Sequence, residues 1–506
     1  MNRSMNNYLS LLICVFSFLI LKGNAQEVNI HIKSEILGDP EVYINPPVDG
    51  QHFHFAKIDT SINKAGVLDF KKTVKFPGFY SIGHAGDGKI LYLKPGDEVW
   101  LTYTMKPDAT VEVMLKGSNE VGQNLYDTYK RPFFQSVAEG YLKKYKSIAS
   151  AQEAVDRKRD KELYQMDSLF KIKAIDRAFK DGITAEINTY YLSVNSYVLQ
   201  DSIYRLKLIE DSVILAEQTV KYFLDNWKNL VKDYDFNNPL NKSRNSFFDL
   251  LQTRASIEKY YFDINTYKQQ PIPKITGSYA EIEYNLALLV PDPANEEYAM
   301  AQGIELGIIQ ENYDSFLIGK YETLAAKYPN SAILPYLKPE IDKIKHYQSA
   351  IKKDFSDKIK FVDNYGKISN FSEVESFFKD QLVYVDLWAT WCGPCKREFA
   401  YNDGLKAFAD KNGITKLYIS VDIDESDNKW KEMIKYYNLE GYHMRASKAL
   451  SDQLREKFSQ DFGGRRGFGI PYYLIIKNGE IVQMNAKRPS NKESLYEQLQ
   501  SFKTKN

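Results

Sequence analysis

Cysteine is scarce in this chain: three residues in 506, at Cys14, Cys392 and Cys395. Histidine is sparse too, at six. No second Cys pair or Cys/His pair at ligand spacing accompanies Cys392 and Cys395, so the roughly four ligands of a zinc site are not assembled here. The nearest candidates, His52 and His54, lie far away in a segment that reads as a strand, where alternation sets both on one face. Charge of either sign is not in excess: 67 Lys and Arg against 66 Asp and Glu leave a net +1. That balance excludes a generic polyanion partner and gives nucleic-acid binding no support. Low-complexity segments and convincing repeats are absent. Beyond the first residues no apolar run reaches the ~20 positions needed to span a bilayer.

What is present is concentrated at Trp391-Cys392-Gly393-Pro394-Cys395-Lys396. The apolar run over residues 382–388 reads as a buried strand, and the segment from Lys396 reads as a helix. Two thiols separated by two residues at a helix start can close a small disulfide ring and reopen it. There the first sulfur meets the unpaired amides and positive end of the helix, which favour a thiolate. Such a thiolate attacks a partner disulfide and the second thiol resolves the mixed intermediate. The pair reads as a redox site. A zinc half-site and a permanent staple are the other readings, although so short a ring adds little loop-closure stabilisation.

The stretch Val385-Asp386-Leu387-Trp388-Ala389-Thr390-Trp391-Cys392-Gly393-Pro394-Cys395 resembles a thioredoxin-fold active site. Its Ala-Thr-Trp lead-in and the N-terminal export signal make it most similar to TlpA/ResA-like thiol-disulfide oxidoreductases of the bacterial envelope. A second match follows at Gly469-Ile470-Pro471-Tyr472-Tyr473, before the turn Lys477-Asn478-Gly479-Glu480. The resemblance covers roughly residues 350–506. It implies an exposed nucleophile at Cys392, a buried resolving thiol at Cys395, and a buried carboxyl at Asp386 able to take the Cys395 proton. It also implies a cis proline at Pro471 facing the cysteines, with the backbone at Ile470 pairing with an extended substrate. Gly393 and Pro394 would set the rigidity of the ring, and Trp391 would form an apolar lip. No metal or other cofactor is expected. Two departures stand out. Ala400 occupies the place of a helix-kinking proline, so a straighter helix is expected, and the strand from Lys416 to Asp422 offers no evident lysine partner for Asp386 after its first residue.

Residues 1–25 carry Arg3, an apolar core over 9–21 and a small-residue exit at Gly23-Asn24-Ala25, which reads as a secretory signal cleaved before Gln26. An uncleaved membrane anchor is the alternative. Cys14 would leave with the signal, so no third thiol could mispair. Ile13 before it is not the small residue a lipoprotein signal needs. Residues 26–116 alternate apolar and polar positions between turn signals such as Lys94-Pro95-Gly96-Asp97, and read as a β-sandwich-like domain. Residues 117–349 read as packed helices, with Leu163, Met166 and Phe170 on one stripe and breaks at Pro239, Pro271 and Pro291. The fold class expected is therefore multidomain: a β-sandwich-like domain, an α-helical middle region and a C-terminal α/β thioredoxin-like fold over 350–506.

The function expected from the resemblance is an exported, periplasmic thiol-disulfide oxidoreductase acting on protein disulfides and dithiols, fed by a membrane electron donor. Gly-Pro between the cysteines resembles reducing thioredoxins, whose potentials lie near about −270 mV, which points to a reductase of maturing proteins such as apocytochromes. A disulfide oxidase or isomerase, or a partner- or glycan-binding envelope protein with an accessory redox domain, are the alternatives.

Overall fold

A computed structural model describes residues 25–36, 38–208, 215–270, 278–310, 313–461 and 466–503. The secretory-signal reading and Cys14 fall outside the described residues, apart from Ala25. The chain divides into two compact units, Met1–Asp342 and Lys343–Asn506.

The first unit opens with eight strands: β1 (Gln26–Ser34), β2 (Glu41–Asn45), β3 (Ile58–Ser61), β4 (Val67–Val74), β5 (Gly78–His84), β6 (Asp87–Leu93), β7 (Glu98–Met105) and β8 (Val111–Gly117). They form two four-stranded sheets, β4-β1-β7-β8 and β3-β2-β5-β6. The period-two pattern sends Val28, Ile30 and Ile32 of β1, Tyr80 and Ile82 of β5, and Val99, Leu101 and Tyr103 of β7 into one shared core. His52 and His54 do not lie on a strand. Phe53 caps a 3₁₀ turn over His54–Ala56, and the His52 amide donates to Lys242 O at 3.1 Å. Burial holds the His52 imidazole down to about 3, with Arg244 and His54 adding to it.

Among the described residues ten helices follow: α1 (Glu120–Thr128), α2 (Phe134–Lys144), α3 (Ile148–Lys171), α4 (Arg177–Leu208), α5 (Glu217–Val231), α6 (Ser246–Ala255), α7 (Tyr279–Ala287), α8 (Glu296–Ile309), α9 (Ser315–Lys327) and α10 (Leu334–Ala350), the last containing the division between units. A two-residue hairpin, β9 (Phe262–Asp263) with β10 (Lys268–Gln269), interrupts them. Helices and strands share a core, for Phe79 of β5 and Tyr92 of β6 pack with Tyr126, Phe179 and Ile183. Gly182 is required there: a Cβ on it would lie 2.0 Å from the Tyr92 ring.

The second unit holds a six-stranded sheet in the order β11-β14-β13-β12-β17-β18. Its strands are β11 (Ile359–Phe361), β12 (Leu382–Trp388), β13 (Thr415–Ser420), β14 (Gly441–Arg445), β17 (Tyr472–Lys477) and β18 (Glu480–Met484), with the short pair β15 (Gln460–Asp461) and β16 (Arg466–Gly467) outside it. The first four run parallel, and β17 and β18 are antiparallel. Central β12 is apolar on both faces because both are covered. The β17–β18 hairpin turns at Asn478 (φ 54°) and Gly479 (φ 81°), the left-handed pair a tight two-residue turn demands. Helices α11 (Phe371–Phe377), α12 (Gly393–Glu398), α13 (Asn402–Asn412), α14 (Asp427–Tyr436), α15 (Lys448–Lys457) and α16 (Glu493–Lys503) complete the unit. Leu405 and Ala409 of α13 and Leu495 and Leu499 of α16 pack on Tyr384, Tyr473 and Ile475 from one sheet face. No helix of the described residues is long and apolar enough to cross a membrane.

Candidate active site

The cysteine pair sits where β12 ends. After Trp388 the chain leaves the sheet, and Asp422, just beyond β13, pins the loop: Thr390 donates to its carboxylate through N–H (2.9 Å) and Oγ1 (2.8 Å), and Ser420 Oγ donates at 2.7 Å. Val421 N–H donates to Trp388 O and Cys392 N–H to Ala389 O, at 2.9 and 3.0 Å. Cys392 is thereby set as the N-cap of α12, with Pro394 in the first turn where its missing N–H loses nothing.

Cys392 and Cys395 are joined as a disulfide, with Cα atoms 5.3 Å apart. The Cys395 amide donates to Cys392 Sγ at 3.1 Å, so the orphan donor of a helix start is aimed at the first sulfur. Cys395 is 0 % exposed and Cys392 only 3 %. The expected exposed nucleophile is thus covered in the disulfide state, while Trp391 beside it is 65 % exposed. A Cβ on Gly393 would stand 3.8 Å from Arg397 Nη1, so a guanidinium lies beside Gly393. Burial, reinforced by Lys429, holds the Lys396 ammonium down to about 8.

Asp386 is buried mid-strand, opposite Tyr418 on β13 and Tyr473 on β17. Burial pushes its carboxyl well above the usual carboxylate range, and the charge of Glu398 pushes the same way. Its Oδ1 has no hydrogen-bond partner among the described residues. Tyr384, Tyr418 and Tyr473 surround it, and burial followed by the Asp386 charge holds all three phenols protonated well beyond their ordinary range. Its charged neighbour is therefore a second carboxylate rather than a lysine. Lys416 is buried too, held down to about 8 by burial, and the acids that offset this are Asp410 and Glu440.

Glu398 and Asp422 are site residues that the sequence pattern did not single out. Glu398, one turn after Cys395, is buried and accepts from Ser490 N–H at 2.9 Å and Ser490 Oγ at 3.0 Å. The signal for it was available: position i+3 from a buried cysteine faces the same side of a helix. Asp422 carried no signal for its role at the cysteine loop, since Ser420 is its local partner and Thr390, the residue it pins, is 32 residues earlier.

The Ile470–Pro471 peptide is cis. Tyr472 pairs with Leu387, so Pro471 stands level with the C-terminal end of β12, the end from which the cysteine loop departs. Ile470 and Pro471 are half-buried. The α-helix is not continuous past Ala400: a 3₁₀ turn at Phe399–Tyr401 separates α12 from α13, and Phe399 packs edge-on against Trp388 at 5.2 Å. Among the described residues there is no group of three or more His, Cys, Asp or Glu able to hold a metal ion.

The Redoxin family matches residues 356–499. A thiol-disulfide oxidoreductase ResA of Bacillus thuringiensis subsp. konkukian (strain 97-27) is 29 % identical over 131 residues, 25 % of this chain and 65 % of that protein. The ResA of Bacillus anthracis is 32 % identical over 107 residues, 21 % of this chain and 54 % of its own. The chain thus spans 65 % or less of the length of these relatives. The thioredoxin domain of a thiol-disulfide oxidoreductase from Bacteroides vulgatus is 26 % identical, covering 25 % of this chain and 82 % of that domain at a TM-score of 0.20. With its cysteine pair capping a helix beside a central parallel strand, this chain carries at its C-terminus a TlpA/ResA-like thioredoxin-fold domain of the Redoxin family.

Proposed function

We propose that the protein is an exported thiol-disulfide oxidoreductase of the cell envelope that reduces disulfides of other envelope proteins through Cys392 and Cys395. The observation that carries this reading is the Cys395 amide donating to Cys392 Sγ at the start of α12, the contact that stabilises a thiolate on that sulfur. In the dithiol form the Cys392 thiolate attacks one sulfur of a substrate disulfide, forming a mixed disulfide and releasing one substrate thiol. Asp386 accepts the Cys395 proton, with Glu398 raising the basicity of that carboxylate. The Cys395 thiolate then attacks Cys392 Sγ, expels the second substrate thiol and closes the Cys392–Cys395 bond. Two electrons pass to the substrate, and a membrane dithiol donor restores the pair. Trp391, Gly393, Pro394, Ile470 and Pro471 form the surface on which an extended substrate segment lies.

The reductase direction, apocytochromes as substrates, and the N-terminal signal are parts of this proposal. So is the division into a sandwich-like domain over 26–116, a helical region over 117–349 and the redox domain from 350. Support for the direction comes from the Gly-Pro dipeptide, associated with potentials near about −270 mV. Equilibration with glutathione buffers tests it, and a potential near DsbA's, about −120 mV, would overturn the reductase assignment. The exchange chemistry is tested by trapping: Cys395→Ser accumulates covalent complexes through Cys392, whereas Cys392→Ser forms none. Absence of complexes with Cys395→Ser, or no insulin reduction by the wild type, removes the proposal.

A further inference from the structure

Within the first unit, a cavity of about 280 Å³ opens where the end of the α1–α2 connection meets the start of α6. Arg131 lines it. Its side chain is 8 % exposed and is held by Glu186, to which Nε donates at 2.9 Å and Nη2 at 3.0 Å, and by Glu162, to which Nη2 donates at 2.9 Å. The rings of Tyr126, Tyr129, Tyr190 and Tyr191 lie 4.8–5.7 Å from its guanidinium. Nη1 alone has no partner among the described residues. A buried charged donor left without an acceptor is costly, so an acceptor at this position would be favoured.

Two further features converge on the same space. Arg244 lines the cavity, lies 5.5 Å over the Phe79 ring, and forms no ion pair among the described residues. Asn245 and Ser246 at the start of the ten-residue helix α6 also line the cavity, and the Phe247, Phe248 and Asp249 amides donate to the Arg244 and Asn245 carbonyls. That helix end adds partial positive charge. Of the wall's two carboxyl groups, Glu186 is committed to Arg131, and burial with the Glu283 charge pushes Asp249 up to about 7. Apart from His52 and Ser81 the remaining wall is largely apolar, with Phe133, Phe134, Tyr190 and Ile90, and Phe133 is 64 % exposed.

We propose that this cavity binds a small organic carboxylate, its anionic head on Arg131 Nη1 and the Arg244 guanidinium, and its apolar body against Phe133, Phe134 and Tyr190. The site is independent of the redox reading.

Calorimetric titration of the full chain with phenylacetate, its neutral isostere phenylacetamide and inorganic phosphate tests it. Phenylacetate should bind, with the amide and phosphate each weaker by about tenfold or more, because a bidentate guanidinium–carboxylate contact and the apolar wall are both needed. Arg131→Gln leaves Glu162 and Glu186 buried without their cation and is expected to disturb folding, so the informative variants are Arg244→Gln and rim Phe133→Ala. The first should weaken phenylacetate by about tenfold and the second by about threefold, with far-UV circular dichroism unchanged. Absence of phenylacetate binding, equal binding of the amide, tighter binding of phosphate, or no effect of Arg244→Gln would each overturn the proposal.

Discussion

Burial, with the charge of Glu398 adding to it, keeps the Asp386 carboxyl from ionising in its ordinary range. A carboxyl whose pKa is raised well above its ordinary range is matched to taking a thiol proton near neutral pH. Asp386→Asn cannot take that proton. Its insulin-reduction rate should fall by about 10- to 100-fold near neutrality, and the limb of the pH–rate profile belonging to this carboxyl should disappear. An unchanged profile would remove Asp386 from the mechanism. Arg397 acts from outside the ring. Because its guanidinium lies beside Gly393 and is exposed, it should favour the Cys392 thiolate only at low ionic strength. Arg397→Gln should slow iodoacetamide alkylation of the reduced protein by about two- to threefold in dilute buffer and leave the rate unchanged at ~1 M salt. A deficit that persists in salt would point to a structural role instead.

Elements were legible to the degree that their signals are local. The alternation in β1, β4 and β7 and the apolar run of β12 appear in the chain itself, because a strand's two faces are written at period two. The 3₁₀ interruption between α12 and α13 did not appear, since no proline or glycine marks it in the chain. His52 and His54 misled for a similar reason. Their alternation resembles a strand, but the backbone there is drawn to α8, where Glu305 accepts the His54 amide at 2.5 Å. The burial of Glu305 at that contact has a measurable consequence, although the His54 amide itself opposes it. Burial pushes the Glu305 carboxyl up to about 8 from an ordinary 4.5. A folded value above the unfolded one means the protonated acid is favoured in the folded state. Its contribution is therefore complete below about pH 4.5 and is lost as pH rises through about 8. Glu305→Gln keeps an acceptor without a charge. Urea unfolding should show the variant losing less stability than the wild type between about pH 5 and 8, by on the order of 1–3 kcal/mol. Parallel stability curves would show that Glu305 does not titrate in that window.

At the scale of the molecule, the chain is two compact units, and the Redoxin match lies wholly in the second. That unit has its own six-stranded sheet and its own core. A fragment of residues 343–506 should therefore fold cooperatively and reduce insulin at a rate within about threefold of the full chain. A fragment that unfolds, or folds without activity, would show that the first unit is needed for the chemistry.

The spacing of the cysteine pair and the order of strand-rich, helical and α/β regions are legible in the chain alone, because they depend on residues adjacent in sequence or repeating at a short period. The proline opposite the cysteines is expected only through the family resemblance. Glu398 against Ser490, Asp422 under Thr390, and the pairing of Arg131 and Arg244 around one cavity exist only once the chain has closed on itself. The partners stand 92, 32 and 113 positions apart. No local period encodes such distances, and only packing brings those charges out of water and beside one another.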